Sequence, residues 1–86
     1  MNNITKEELI NYEVRGTKLY KNMSKFDMVG IAEGFVEPND EIEVKTAWQK
    51  LVDTDLCWKL QGWFGRTAKT LIEEGLIKPK SASVNL

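Results

Sequence analysis

The chain lacks histidine altogether and has one cysteine and two prolines among its 86 residues. Without His it has neither the commonest general base nor the commonest transition-metal ligand, and we predict no metal site and no cofactor. A single Cys cannot form a disulfide within the chain, which is typical of a reducing compartment. No apolar run approaches the length of a membrane span and no segment has the pattern of a secretory signal, so we expect a cytoplasmic protein without membrane contact.

The chain also lacks a large excess of either charge, because 12 basic residues offset 13 acidic ones and leave a net charge of −1. The distribution is uneven: residues 33–55 carry a net charge of −5 and residues 56–86 a net charge of +3. An acidic segment and a basic segment that follow each other usually attract each other within the fold. Less often they form a surface that binds a charged partner. The pattern favours the internal role.

The composition is that of one small folded domain, with 42% hydrophobic and 29% charged residues. We expect residues 1–80 to form a single helical domain and residues 81–86, which carry no structural signal, to be a flexible tail. A chain this short buries only ~60–65% of the surface that its unfolded form exposes, so its stability is modest. Burial against a second copy would add to it, and a homo-oligomer is one of the assemblies that the sequence allows.

Helix signals recur along the chain and predict an all-α fold, a compact bundle of about four short helices. Thr5 and Glu8 have the spacing of a capping box, and Gly34 can end a helix in the left-handed conformation. The apolar positions between Val44 and Val52 recur at helical spacing and mark the strongest amphipathic helix. The predicted helices span residues 6–15, 25–33, 41–53 and 55–74.

The last predicted helix contains two glycines, Gly62 and Gly65. Each Gly inside a helix costs ~1 kcal/mol relative to Ala, so two of them favour a break, which we place near Gly62. A single continuous helix is the alternative, because apolar residues across 56–71 also fit one helical stripe. With the break, the C-terminal half is helix-turn-helix-like and Thr54 caps its first helix.

The segment Trp48–Gly75 carries a specific motif. It begins Trp-Gln-Lys-Leu-Val-Asp-Thr-Asp-Leu-Cys-Trp-Lys and continues Leu-Gln-Gly-Trp-Phe-Gly-Arg-Thr-Ala-Lys-Thr-Leu-Ile-Glu-Glu-Gly. This run resembles a family of small proteins from tailed bacteriophages and prophages, in which Leu-Gln-Gly, a variable residue, an aromatic residue and Gly-Arg-Thr-Ala follow one another. The resemblance covers about a third of the chain. It implies a phage gene product in the cytoplasm of an infected host bacterium and brings no known catalytic residue.

Two positions depart from the family pattern: Asp55 stands where the family usually has Gly, and Cys57 where it usually has Ala. The first departure implies that the backbone near Thr54 need not adopt a positive φ. Cys57 has no His partner and falls in a helical run, so we interpret it as a small buried hydrophobic residue rather than a nucleophile. Asp53 and Asp55 are interpreted as caps around Thr54 rather than as an acid–base pair. No group of residues predicts an enzyme.

The remaining candidates for function are side chains of the same segment, which we predict to form a protein-binding edge. Trp and Arg dominate binding hot spots, and Trp58 is offset from the apolar stripe of its helix. Arg66 could instead pair with Glu41, Glu43 or Asp53, although its planar fork suits a carboxylate or phosphate on a partner. The predicted partner-binding residues are Trp58, Gln61, Trp63, Arg66 and Lys69. We therefore expect a non-enzymatic protein that binds and modulates a host protein, as an anti-defence or host-takeover inhibitor would.

A helix-turn-helix regulator that binds nucleic acid is the alternative function. Arg66, Thr67, Lys69 and Thr70 would then face the major groove. Against it, Trp58 falls where that motif needs a small residue, and a sequence pI near 5.4 is unlike the basic footprint of DNA-binding proteins. We therefore expect nucleic acid less than protein as the partner.

Overall fold

The computed structural model describes residues 4–80, which contain six short α-helices and no strand. The helices are α1 (Lys6–Asn11), α2 (Lys18–Asn22), α3 (Lys25–Glu33), α4 (Glu41–Asp53), α5 (Leu56–Lys59) and α6 (Gly62–Glu73). The all-α prediction is confirmed, and the small bundle has more and shorter helices than the four predicted. The predicted tail, residues 81–86, lies outside the described residues. Within residues 4–80 no helix is long and apolar enough to cross a membrane.

The N-terminal part contains two helices where the sequence predicted one. Thr5 and Glu8 form the predicted capping box, in which each side chain accepts a hydrogen bond from the other residue's backbone N–H. The helix nevertheless ends at Asn11 instead of residue 15, because the following residue is extended and the chain carries Val14 into the core. The Thr17 hydroxyl then caps α2, a helix that the sequence analysis missed.

Helices α3 and α4 have the predicted bounds, and their caps follow from the sequence. Ser24 and Asp40 accept hydrogen bonds from backbone N–H groups in the first turns of α3 and α4. Gly34 ends α3 in the left-handed conformation with a φ of +90°, which a residue with a side chain rarely adopts. α4 then runs through the middle of the molecule and contacts α2, α3 and α5.

The predicted break in the C-terminal half is present, slightly earlier than expected. α5 is a single turn of four residues, and Gly62 is the first residue of α6 rather than part of the turn. The helix-turn-helix order is therefore kept, with a very short first helix. Thr54 does not cap α5 as predicted, because its hydroxyl donates at 2.7 Å to the Lys50 carbonyl and so belongs to the end of α4.

Asp55 overturns the expectation about the backbone near Thr54. Its φ is +64°, the one positive φ of a non-glycine residue among the described residues. The tight connection between α4 and α5 requires the left-handed conformation, which Gly adopts most easily and Asp tolerates better than most residues. Nor does Asp55 act as a cap: its carboxylate makes no capping hydrogen bond and accepts from Lys80 Nζ at 2.6 Å.

The core is built on α4 and on three aromatic rings. Leu51 and Val52 are fully buried, as are Phe64 and Ala68 of α6. Trp48, on the apolar stripe of α4, is also buried, with its ring centroid 6.0 Å from that of Phe64. Aromatic pairs at such distances add to the stabilisation from burial, so this cluster fixes α6 across α4.

Candidate functional site

Trp58 is the large exposed aromatic residue of the C-terminal half. It lies on the single turn of α5 and is 50% exposed. Its indole contacts α6 at Gly65, where a Cβ atom would come within 3.1 Å of Cε3 and 3.3 Å of Cζ3. Gly at this position therefore lets the ring rest directly on the helix backbone. The ring is therefore held on one side by α6 and is open to solvent on the other.

Gln61, Arg66 and Lys69 occupy exposed positions close to this contact. Gln61 and Lys69 each lie four residues from Gly65, so they flank it along the helix, and Arg66 follows it directly. The Arg66 side chain folds back along α6, with Nη1 3.0 Å from the point where a Cβ atom on Gly62 would lie. Trp58, Gln61, Arg66 and Lys69 are thus all exposed, and they lie on α5, on α6 or on the connection between them.

The two cations of α6 are not neutralised by neighbouring acids. Within residues 4–80 neither forms a salt bridge. Asp53, one of the intramolecular partners considered for Arg66, pairs with Arg15 instead at 2.7 Å, and no salt bridge joins Arg66 to Glu41 or Glu43. The guanidinium therefore keeps its fork of donors in solvent, where a partner's carboxylate can reach it.

Trp63 is the one predicted site residue that the structure places mainly in packing. It is half-buried, stacks on Phe64 with ring centroids 4.0 Å apart, and meets Trp48 edge-on at 6.3 Å. It supports α6 from the core side rather than standing in solvent. We use the name Trp58 surface for the exposed residues Trp58, Gln61, Arg66 and Lys69 together with the half-buried Gly65 beneath the ring.

Cys57 lies next to this surface in the sequence but faces the core. Its side chain is 1% exposed, and burial, with a smaller contribution from the charge of Asp55, raises the pKa of the thiol to about 11. The thiol is thus protonated and inaccessible at neutral pH, the opposite of a catalytic cysteine. In the part of the chain that the structure describes, no group of three His, Cys, Asp or Glu residues is arranged to hold a metal ion.

The Trp58 surface falls inside a region that matches a protein family. The sequence profile of the family described as "Domain of unknown function (DUF7417)" matches residues 20–86, which is more than half of the chain. The chain belongs to the DUF7417 family. No curated protein and no solved structure matches it.

Asp53 of this DUF7417 protein joins parts of the chain that the sequence analysis did not connect. Its carboxylate accepts hydrogen bonds from Arg15 at 2.7 and 2.8 Å, from the Tyr20 hydroxyl at 2.7 Å and from the Gln49 amide at 3.2 Å. The hydrogen bond to Asp53 raises the pKa of Arg15, and burial, followed by the same carboxylate, raises the pKa of Tyr20. Arg15 and Tyr20 lie too far from Asp53 in the sequence for any spacing to predict this cluster.

Two lysines of α4 were also missed. Lys45 Nζ donates to three backbone carbonyls at the end of α1, at 2.5, 2.7 and 3.1 Å. Lys50 Nζ donates to three carbonyls at the end of α2, two at 2.7 Å and one at 3.5 Å. Burial lowers the pKa of Lys45, and the negative charge of Glu13 offsets only part of that effect. One signal was available: Lys45, Gln49 and Val52 share helical spacing, which indicates polar residues on the buried side of α4.

Proposed function

We propose that this protein is a non-enzymatic phage-type protein that binds a host bacterial protein and modulates it, as an anti-defence or host-takeover inhibitor does. The observation that carries the proposal is Trp58, half in solvent and held against Gly65. Trp and Arg contribute most to binding at protein interfaces, and exposed Arg66 directly follows Gly65, the residue on which the ring lies. The resemblance of residues 48–75 to proteins of tailed bacteriophages and prophages supports the setting of an infected bacterial cytoplasm.

The chemistry of the Trp58 surface favours a particular kind of partner. An indole needs an apolar pocket to bury its exposed half, and a guanidinium binds best to a carboxylate in a bidentate pair. Lys69 adds a second cation one turn from Gly65, and Gln61 can both donate and accept hydrogen bonds. A host protein with an apolar pocket rimmed by acidic residues matches these groups, and binding would act by covering that pocket.

Affinity capture from bacterial lysate, followed by a titration, tests this proposal. The baits are the wild type, Arg66→Glu and a matched control, Lys18→Glu, which makes the same charge change at an exposed position of α2. We expect the wild type and Lys18→Glu to recover the same host protein and Arg66→Glu to lose it. In a titration with that purified protein, Trp58→Ala and Arg66→Glu should each weaken binding about tenfold or more.

Thermal unfolding of each variant accompanies the titration, because the Trp58 ring also covers α6. A variant that has the melting temperature of the wild type but does not bind has lost a binding contact and kept its fold. A wild type that recovers no protein would contradict the proposal, and so would equal recovery with Arg66→Glu.

The second candidate function, nucleic-acid binding, draws on the exposed positions of Arg66, Lys69 and Thr70 along α6. It is weakened by α5, which at four residues is shorter than the first helix of a helix-turn-helix, and by exposed Glu73 on the same helix. Titration with duplex DNA separates the two functions. Tight binding whose logarithmic affinity falls steeply with the logarithm of salt concentration favours the regulator.

A further inference from the structure

Helix α3 presents apolar side chains on two sides, although only one side faces the core. Met28 and Ile31 are buried, whereas Val29 is half-buried and Phe26 is 76% exposed. Phe35, shortly after the helix, is 83% exposed. A helix that is apolar on both sides is normally covered on both. The outer side of α3 therefore lacks its cover within residues 4–80.

These exposed side chains line an open groove of about 580 Å³. Among residues 4–80, its apolar walls come from Phe26, Val29, Phe35 and Leu60, and its charged lining residues are Lys25 and Glu33. A contiguous apolar surface with aromatic rings in solvent marks an interaction site. The charges of Lys25 and Glu33 indicate what kind of surface covers this groove.

Lys25 and Glu33 each lie at the end of α3 where the helix dipole disfavours their charge. Lys25 is the first residue of the helix and Glu33 the last, whereas the helix dipole favours anions at the N-terminus and cations at the C-terminus. Neither residue forms a salt bridge within residues 4–80. Val29 lies midway, four residues from each, so the three side chains follow one stripe with a cation at one end and an anion at the other.

We propose that the groove binds a second copy of the chain, with the two α3 helices packed antiparallel about a two-fold axis near Val29. This arrangement places each Lys25 opposite Glu33 of the other copy, so the same salt bridge forms twice. Each charge then also lies beside the helix end of the other copy that attracts it. Phe26 of each copy moves towards the apolar groove of the other. A two-fold interface brings the same surface of both copies together in opposite directions. The charges of this stripe match under that arrangement, because its cation and its anion lie at opposite ends.

Charge reversal at the ends of α3 tests the dimer. Sedimentation equilibrium of the wild type at low salt should give a mass of twice the 9.9 kDa chain. Lys25→Glu and Glu33→Lys each replace two attractive contacts by two repulsive ones, and each should raise the dissociation constant about tenfold or more. An equimolar mixture of the two variants should associate again, because every reversed charge then meets its opposite in the other copy.

A second variant keeps the test decisive if the ion pairs contribute little. Phe26→Asp places a charge in the apolar part of the interface. Because Phe26 is exposed in the single chain, the melting temperature of this variant in dilute solution should match that of the wild type. The substitution should abolish the dimer. Arg66→Glu alters the Trp58 surface and should leave the dimer unchanged, which separates this proposal from host-protein binding. A wild type that stays monomeric at submillimolar concentration overturns the proposal, as does a mixture of charge variants that fails to associate.

Discussion

Asp53 accepts hydrogen bonds from three separate parts of the chain: Arg15 before α2, Tyr20 within α2, and Gln49 one turn earlier in α4. Its side chain is only 13% exposed. A carboxylate in such a place is stabilised by charge-assisted hydrogen bonds, and its donors are left poorly satisfied when it is removed. Arg15 also donates to the Pro79 carbonyl at 2.8 Å, so the cluster reaches the last described residues.

Asp53→Asn should therefore lower the free energy of unfolding by ~2–4 kcal/mol, because the substitution removes the ion pair and leaves an amide N–H₂ facing the Arg15 guanidinium. The matched control is Asp55→Asn, which loses only an exposed salt bridge with Lys80 and keeps a residue that tolerates a positive φ. That variant should lie within ~0.5 kcal/mol of the wild type. Urea unfolding measures both, and equal losses would contradict the role of Asp53.

Cys57 predicts a pH dependence of stability at the alkaline end. Burial raises the pKa of its thiol from 9.0 to about 11. As pH rises from about 9 to about 11, the unfolded chain loses the thiol proton while the folded chain keeps it. The folded state then binds more protons, so the free energy of unfolding falls as pH rises through this window.

Cys57→Ala removes this titration and keeps a small apolar side chain. Urea unfolding across the window should show a steeper decline for the wild type than for the variant, and the two slopes should agree at neutral pH. Slopes that stay parallel throughout would show that the thiol titrates alike in both states. In the folded wild type, a thiol reagent should react at neutral pH far more slowly than in the unfolded chain.

At the scale of elements, α1 and α2 have only six and five residues, too few to be stable as isolated helices. The last carbonyls of each helix accept hydrogen bonds from a lysine of α4. Lys45 donates to those of α1 and Lys50 to those of α2. The apolar stems of both side chains can pack along the helix while the ammonium groups replace the missing hydrogen bonds of the helix ends. One helix thereby organises two others.

Lys45→Met and Lys50→Met keep most of the stem and remove the donors. Each should cost ~1–3 kcal/mol of stability. Amide hydrogen exchange should show lost protection mainly in α1 for Lys45→Met and mainly in α2 for Lys50→Met, so each variant is the control for the other. Loss of protection spread evenly over both helices would contradict a local capping role.

At the scale of the whole molecule, the chain closes on itself through its last described segment. Ile77 is buried. The Lys78 N–H donates to the Gln49 side-chain oxygen at 2.8 Å, and the Gln49 side-chain amide donates to the Lys78 carbonyl, also at 2.8 Å. These two bonds hold the segment after α6 against α4. In a domain this small, one buried aliphatic residue is a sizeable part of the core.

Ile77→Ala should accordingly lower the free energy of unfolding by ~2–4 kcal/mol, the usual cost of truncating a buried aliphatic side chain. Leu76→Ala is the matched control, because Leu76 is adjacent and only half-buried; it should cost clearly less. Calorimetric or spectroscopic melting measures the difference. A ranking in the opposite order would mean that the segment does not close the core through Ile77.

Much of the fold follows from local signals, and several of the errors concern features that those signals do not set. The caps at Thr5, Ser24 and Asp40, the stop at Gly34, and the bounds of α3 and α4 depend on hydrogen bonds and periodicity within a few residues. The early end of α1, the missed α2 and the left-handed Asp55 depend on contacts with distant residues or on the path of the chain between helices.

The candidate site divides in the same way. The sequence alone identified the dense segment around Trp58 and its exposed polar neighbours, because residue type and helical spacing are local properties. Only the tertiary structure decided that Trp63 supports the core, that the Trp58 ring lies on Gly65, and that Asp53 pairs with Arg15 and not with Arg66.

The sequence by itself therefore determined an all-α chain without His, with two well-capped central helices and a glycine-marked break before the last one. Tertiary structure decided which side chains are left in solvent: the Trp58 surface on α5 and α6, and the apolar outer side of α3. The physical reason is that caps and periodicity are set by neighbours three or four residues apart. Exposure is set by what the rest of the chain covers, and that depends on contacts between residues tens of positions apart.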